Sequence, residues 1–174
     1  MDAYFCFDRA TKFRKNHKHE ELEIVKDKFN LPEEFLLNVG TIETRKNLIS
    51  LINAMDLIKI DIPLVVVGKK TAYKNFLKIQ IKKLNFDPNK IIFLDNVSIN
   101  ELPAIYKLSS LFVYPSIFEG FGIPPLEAAA LGSKVICSNL SAMSNFSFFS
   151  PYHIEPKAKN LIISLNKIIV EINY

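Results

Sequence analysis

Pro63-Leu-Val-Val-Val-Gly68 is the stretch whose reading decides the fold. Leu64 to Val67 is an unbroken apolar run, three of its four residues β-branched, and Gly68 closes it. A strand with one wet face alternates apolar and polar residues. An unbroken run suits a strand covered on both faces, as in a parallel sheet flanked by helices. The same logic extends outward in both directions. Upstream, Phe35-Leu-Leu-Asn-Val39 is a strand closed by Gly40, and Leu48, Leu51, Ile52, Met55 and Ile58 recur at helical steps between the two. A polar helical pattern, Glu20 to Phe29, ends at Asn30-Leu-Pro32.

Downstream, Thr71 to Leu84 reads as a helix and Lys90 to Leu94 as a strand. Ser98-Ile-Asn-Glu101 has the form of a capping box and predicts a helix from Ser98 to about Leu108. Leu111 to Tyr114 is a strand. Pro124 to Leu131 is a short helix with Pro at its start and Gly132 just past its end. Val135 to Cys137 is a strand, and an amphipathic helix runs from Lys157 to about Val170. About five alternations of strand and helix, joined by right-handed crossovers, predict an α/β doubly wound parallel sheet of Rossmann-like form. Ligands in such folds bind at the carboxyl ends of the strands. The loops after Gly40, Gly68, Asp95, Tyr114 and Ser138 are therefore the places to look.

Composition excludes several classes. The chain has 174 residues, 49% of them apolar and 23% charged, an ordinary globular balance that excludes a disordered chain. Two cysteines, Cys6 and Cys137, form neither a disulfide framework nor a CxxC metal site, and fit a reduced, cytoplasmic setting. The formal net charge is +4, in a sequence rich in Lys, Ile and Asn. The short basic stretch from Lys12 to Lys18 has no interleaved aromatics beyond Phe13, so a nucleic-acid partner is not expected. No apolar stretch reaches the roughly 18 residues of a membrane span, and no secretory signal is expected at the N-terminus. His17, His19 and His153 make no ligand spacing with either Cys, and no metal site is expected.

The richest loop is Pro115-Ser-Ile-Phe-Glu-Gly-Phe-Gly-Ile-Pro-Pro-Leu-Glu127. It follows a strand and runs into a helix. Gly120 and Gly122 let a ligand approach the backbone, and a helix start offers unpaired N–H groups and the positive dipole end to phosphate. Glu119 and Glu127 bracket that cradle, and carboxylates accept hydrogen bonds from sugar hydroxyls. Gly40 leads to Arg45, Lys46 and Asn47 near the start of another helix, where basic residues oppose the dipole and an anionic ligand would account for them.

Glu119-Gly-Phe-Gly-Ile-Pro-Pro-Leu-Glu127 resembles the E-x7-E motif of retaining glycosyltransferases of the GT-B fold, in particular the family 4 (group 1) bacterial enzymes. Ala128 to Cys137 resembles that family's continuation, and Val39-Gly-Thr-Ile-Glu-Thr-Arg-Lys-Asn-Leu48 its first C-domain βα loop. The likeness covers about residues 27 to 140 and weakens from 141, where Ala142-Met-Ser-Asn-Phe146 replaces the family's usual turn. Thr41 stands where many members carry Arg.

The resemblance implies the C-terminal, donor-binding half of a GT-B enzyme: an N-terminal extension or linker at 1–34, then a nucleotide-sugar-binding domain with a C-terminal helix at 35–174. It implies Glu119 facing the transferred sugar, Lys46 and Arg45 on the diphosphate, and Glu127 on the ribose hydroxyls. Gly40, Thr41, Gly120, Phe121, Gly122 and Ile123 would line the donor, with Asn96 and Val97 beside the base. Gly68, Lys69, Lys70, Ser138 and Asn139 are further cleft candidates. The implied reaction is hexosyl transfer from a nucleoside diphosphate sugar to a glycan or lipid-linked acceptor in polysaccharide biosynthesis, without a bound metal. Such an enzyme needs an N-terminal domain, in cis or in trans, so the isolated chain is expected to be inactive or weakly active. The full enzyme is expected to be cytoplasmic, with peripheral attachment at the membrane. The alternative is a non-catalytic nucleotide-binding or interaction module derived from the family.

Overall fold

The computed structural model describes residues 19–69, 71–84 and 86–172. Cys6, His17, the basic stretch 12–18 and Lys70 lie outside the described residues. In chain order the elements are α1 (His19–Phe29), β1 (Leu36–Val39), α2 (Leu48–Leu57), β2 (Leu64–Val67), α3 (Tyr73–Lys83) and β3 (Ile91–Leu94). There follow α4 (Leu102–Leu108), β4 (Leu111–Tyr114), α5 (Ile123–Ala130), β5 (Val135–Ser138), β6 (His153–Ile154) and α6 (Ala158–Ile172).

Among the described residues six strands form one parallel sheet, in the order β3-β2-β1-β4-β5-β6. This is the doubly wound, Rossmann-like arrangement, whose direction of growth reverses between β1 and β4. The Leu64–Val67 run occupies β2, buried throughout between β1 and β3. Its side chains alternate between two cores, Leu64 and Val66 on one face and Val65 and Val67 on the other. Leu111, Phe112, Val113 and Tyr114 of β4 divide in the same way. The first face is covered by α2, α3 and α6, through Leu51, Met55, Leu77, Ile81, Leu161 and Leu165. The second is covered by α1, α4 and α5, through Val25, Ile105, Tyr106 and Ala128.

Most element ends fall within a residue or two of the sequence reading, and two features depart from it further. Glu101 Oε2 does accept the Ser98 N–H at 2.9 Å, as a capping box requires, but residues 98–101 form a turn and α4 starts at Leu102. Pro103 sets that start. It has no N–H and its ring would strike the preceding turn, so it fits only in the first turn of the helix. The second difference is β6. Two residues carry no period, so the sequence does not announce it, yet Cys137 and Ser138 pair with His153 and Ile154. At the end of α5, Gly132 has φ 88°, and the N–H groups of Gly132 and Ser133 donate to the carbonyls of Ala129 and Ala128. This is a Schellman closure, which turns the chain into β5.

Gly68 is fixed by crowding. A Cβ there would lie 1.9 Å from the Gly40 carbonyl oxygen, so β1 and β2 can leave the sheet side by side only if residue 68 has no side chain. Gly68→Ala is expected to lower the unfolding free energy by about 1–3 kcal/mol, the usual cost of overpacking. Gly120→Ala, where a Cβ meets nothing within 4 Å, should stay within about 0.5 kcal/mol of wild type in urea unfolding.

Candidate functional site

The reversal between β1 and β4 brings two loops together at the carboxyl end of the sheet. The loop after β1 passes through Gly40 (φ 148°) and a short 3-10 turn, Thr44–Lys46, to Asn47 in the left-handed region at φ 56°. Asn tolerates that conformation better than most residues. Its side chain donates to the Pro115 carbonyl at 3.2 Å and the Pro156 carbonyl at 2.8 Å. The Ile117 N–H donates to the Arg45 carbonyl at 2.8 Å. The β1 loop is thus stitched to the β4 loop before any charged side chain is counted.

Glu119 lies where the loops meet, and it is buried. Lys46 Nζ is 2.6 Å from Glu119 Oε1, Ser116 Oγ donates to the same oxygen at 2.6 Å, and Arg45 Nη1 is 2.9 Å from Oε2. Lys46 also donates to the Tyr114 hydroxyl at 2.7 Å. Arg45 Nε is 2.8 Å from Glu43 Oε2, and its Nη1 donates to the Phe118 carbonyl at 3.2 Å. Main-chain and side-chain hydrogen bonds between Glu119 and Ser141 hold the carboxylate's own backbone. Gly40 gives Lys46 its room, since a Cβ there would come within 3.0 Å of Cε and Nζ. The three residues read as catalytic, Arg45, Lys46 and Glu119, therefore form one cluster.

The electrostatics follow from this packing. Burial pushes the Glu119 carboxyl up, but hydrogen bonds from Lys46 and Ser116 and the charges of Lys46 and Arg45 outweigh it. The group is held below its ordinary 4.5. Desolvation draws Lys46 below its ordinary value against the pull of Glu119. Burial, with the Glu119 charge, raises the Tyr114 phenol far above its usual range, so it remains a neutral hydroxyl. Two cations meet two carboxylates, Glu119 and Glu43. The basic residues that the sequence reading explained by an anionic ligand already have partners within the chain.

The other expected donor residues occupy separate positions. Asn96 and Val97, with Gly68, Lys69 and Asp95, line a cavity of about 500 Å³ at the carboxyl ends of β2 and β3. Gly40 is the seam between this cavity and the charged cluster. It touches Lys46 on one side, and on the other its N–H donates to the Val67 carbonyl at 2.8 Å. Gly120, Phe121, Gly122 and Ile123 lead into α5, with Gly122 at φ 85° and a Cβ there 2.7 Å from Met143 Cγ. Glu127, in α5, is buried and accepts a hydrogen bond from the Tyr106 hydroxyl at 3.1 Å. Ser138 Oγ accepts the Leu140 N–H at 3.2 Å and serves the local turn, while the Asn139 N–H donates to the Ile154 carbonyl and continues the pairing of β5 with β6. His153 Nε2 lies 2.8 Å from the Met143 carbonyl.

Tyr114, Ser116, Ser141, Glu43 and Tyr106 escaped the sequence reading. Ser116 carried a usable signal, a hydroxyl beside a Pro just past a strand's carboxyl end, whereas Tyr114 reads as one more residue of an apolar strand. Ser141 and Tyr106 are distant in sequence from what they hold and carried none.

Glu119 titrates lower folded than unfolded. Its contribution to stability is therefore complete above about pH 4.5 and is lost as pH falls through the lower folded value. Glu119→Gln should flatten that acid limb in urea titrations run from neutrality to about pH 3. Lys46→Met should cost about 1.5–3 kcal/mol at neutral pH, the scale of hydrogen bonds to a charged group, with Arg45 still holding Oε2.

Comparison with known proteins gives a consistent set of likenesses. The family model described as "Glycosyl transferases group 1" matches residues 19–147. The serotype-specific mannosyltransferase WbdA of Escherichia coli is 31% identical over 151 residues, 80% of this chain but 18% of that protein. The O-antigen chain mannosyltransferase RfbU of Salmonella typhimurium is 38% identical over 108 residues, 62% of this chain and 30% of that protein. The chain thus spans less than a third of the length of these relatives. Among solved structures, a glycosyltransferase from Rickettsia africae superposes with a TM-score of 0.79 at 23% identity, over 92% of this chain and 45% of that one. The C-terminal domain of a glycosyl transferase group 1 family protein from Francisella tularensis superposes with a TM-score of 0.66 at 26% identity. That pair covers 91% of this chain and 86% of that one.

Proposed function

Because the chain belongs to the glycosyl transferases group 1 family, we propose that it is the donor-binding domain of a retaining, family 4 glycosyltransferase. On this reading it binds a nucleoside diphosphate sugar and needs an N-terminal acceptor-binding domain, in cis or in trans, for transfer. The observation that supports it is the meeting of Lys46, Arg45 and Glu119 at the sheet's switch point, beside the start of α5. Lys46 and Arg45, with the N–H groups from Gly120 to Ile123, bear on the diphosphate. Glu119 orients the sugar, Glu127 holds the ribose, Gly40 and Thr41 let the phosphates approach, and Asn96 and Val97 flank the base in the cavity beside Gly68.

In the transfer an acceptor hydroxyl oxygen bonds to the anomeric carbon while the bond from that carbon to the β-phosphate oxygen breaks, and the hydroxyl proton passes to the departing diphosphate. Lys46, Arg45 and the helix end stabilise the negative charge on the departing diphosphate, which is electrostatic catalysis. The two cations supply the opposing positive charge, and the scheme calls on no metal. Mannose is the sugar to test first and an O-antigen-type polysaccharide the first product class, since WbdA and RfbU are named mannosyltransferases and RfbU an O-antigen enzyme.

A second reading, a nucleotide-binding or interaction module without catalysis, is favoured by one observation. Both cations are already neutralised by Glu119 and Glu43. Calorimetry against UDP, GDP, ADP and their sugars separates the readings from their failure. One nucleotide should bind at millimolar concentration or tighter, and Glu127→Ala should weaken it about tenfold or more, the value of one or two hydrogen bonds. No binding at millimolar level sinks the donor-domain reading and leaves of the second only the interaction module. Binding without transfer when an N-terminal acceptor domain is supplied, in cis or in trans, selects the second.

A further inference from the structure

Helix α3 presents a face to solvent that neither the fold nor the donor site uses. Leu77 and Ile81 point into the core, with half-buried Tyr73 beside them. The opposite face carries Phe76, 50% exposed, and Ile79, 56% exposed, one turn apart. Around them stand Lys78, Lys82 and Lys83, all exposed and making no ion pair among the described residues. Lys74 lies over the Phe93 ring, 4.3 Å from its centre. The helix holds no acidic residue, so its four lysines equal the whole formal net charge of the chain, +4. In the segment after it, Asp87 accepts the Asn89 N–H and Asp61 pairs with Lys90, so neither carboxylate answers these lysines. The Tyr73 and Phe76 rings, with centres 5.5 Å apart, extend the apolar strip toward the start of the helix.

We infer that this face of α3 seats on an anionic phospholipid surface. Two adjacent large apolar side chains on a short helix are too few to hold a protein–protein core, but they suit shallow entry at the boundary between headgroups and acyl chains. Lysines flanking such side chains gain from the negative surface potential. A nucleic acid would use the lysines and leave Ile79 and Phe76 in water. The site is a docking face only, since no described helix is long and apolar enough to cross a membrane. The inference stands apart from the donor-binding reading, because no α3 residue belongs to that site.

The chain contains no Trp, so Phe76→Trp installs a single reporter. Vesicles of phosphatidylcholine with phosphatidylglycerol should sediment the chain and shift the emission of that Trp to the blue. Pure phosphatidylcholine should do neither. Lys78→Gln with Lys82→Gln should weaken the partition roughly thirtyfold, and raising the salt should weaken it further. Lys159→Gln with Lys167→Gln, on α6, removes the same charge elsewhere and should change it less than about threefold. The inference is overturned if anionic vesicles leave the chain in solution, or if the α6 pair weakens binding as much as the α3 pair. It is also overturned if Phe76→Trp emission is already blue without lipid and depends on protein concentration, which marks a face between copies.

Discussion

The contact between Lys46 and Glu119 is the constraint on which the rest of the site depends. It joins the loop after β1 to the loop after β4 where the sheet reverses its direction of growth. A parallel doubly wound sheet leaves a crevice there because its two adjoining crossovers depart to opposite faces. Two charges facing each other across such a crevice would be costly to bury if their geometry were loose. Here it is set by hydrogen bonds to backbone carbonyls: the Ile117 N–H to Arg45, the Asn47 side chain to Pro115, and the Ser141 hydroxyl to Glu119. The ion pair is then a consequence of the fold and fixes the loops in return.

Most of the fold was legible because burial on both faces leaves a plain mark. Leu64–Val67 and Leu111–Tyr114 are unbroken runs, and each is a strand with the limits its sequence suggests. What was not legible rests on long-range pairing or on a competing local rule. Strand β6 is two residues held by the edge of β5, and no two-residue segment has a period to read. The start of α4 was decided by Pro103 against the capping-box signal, and the proline prevailed because a missing N–H cannot be restored by a side-chain cap.

The site divides along the same line. Lys46, Arg45 and Glu119 were visible as types at a spacing, and the switch point assembles them. Their electrostatic state was not visible. The sequence reading treated Arg45 and Lys46 as uncompensated charges near a helix start. It could not place Glu119, some seventy residues on, between them, nor set Glu43 against Arg45. Tyr114 shows the same limit. As one more apolar-patterned residue of β4 it reads as core, and only the fold turns its hydroxyl to Lys46.

The compensation of charge has a chemical consequence for the proposed donor site. An ionised carboxylate offers about four acceptor positions. Glu119 spends them on Lys46 and Ser116 at one oxygen and Arg45 at the other, which leaves room for about one sugar hydroxyl without displacing a cation. A diphosphate drawn to Lys46 and Arg45 must likewise share donors that Glu119 already holds. Arg45 can do so most readily, being 41% exposed with its guanidinium divided between two carboxylates. Lys46, 6% exposed and pinned by Tyr114, moves least. On the proposed reading Lys46 and Glu119 are therefore the fixed frame of the site, and Arg45 is the cation that turns from carboxylate to phosphate as the donor enters.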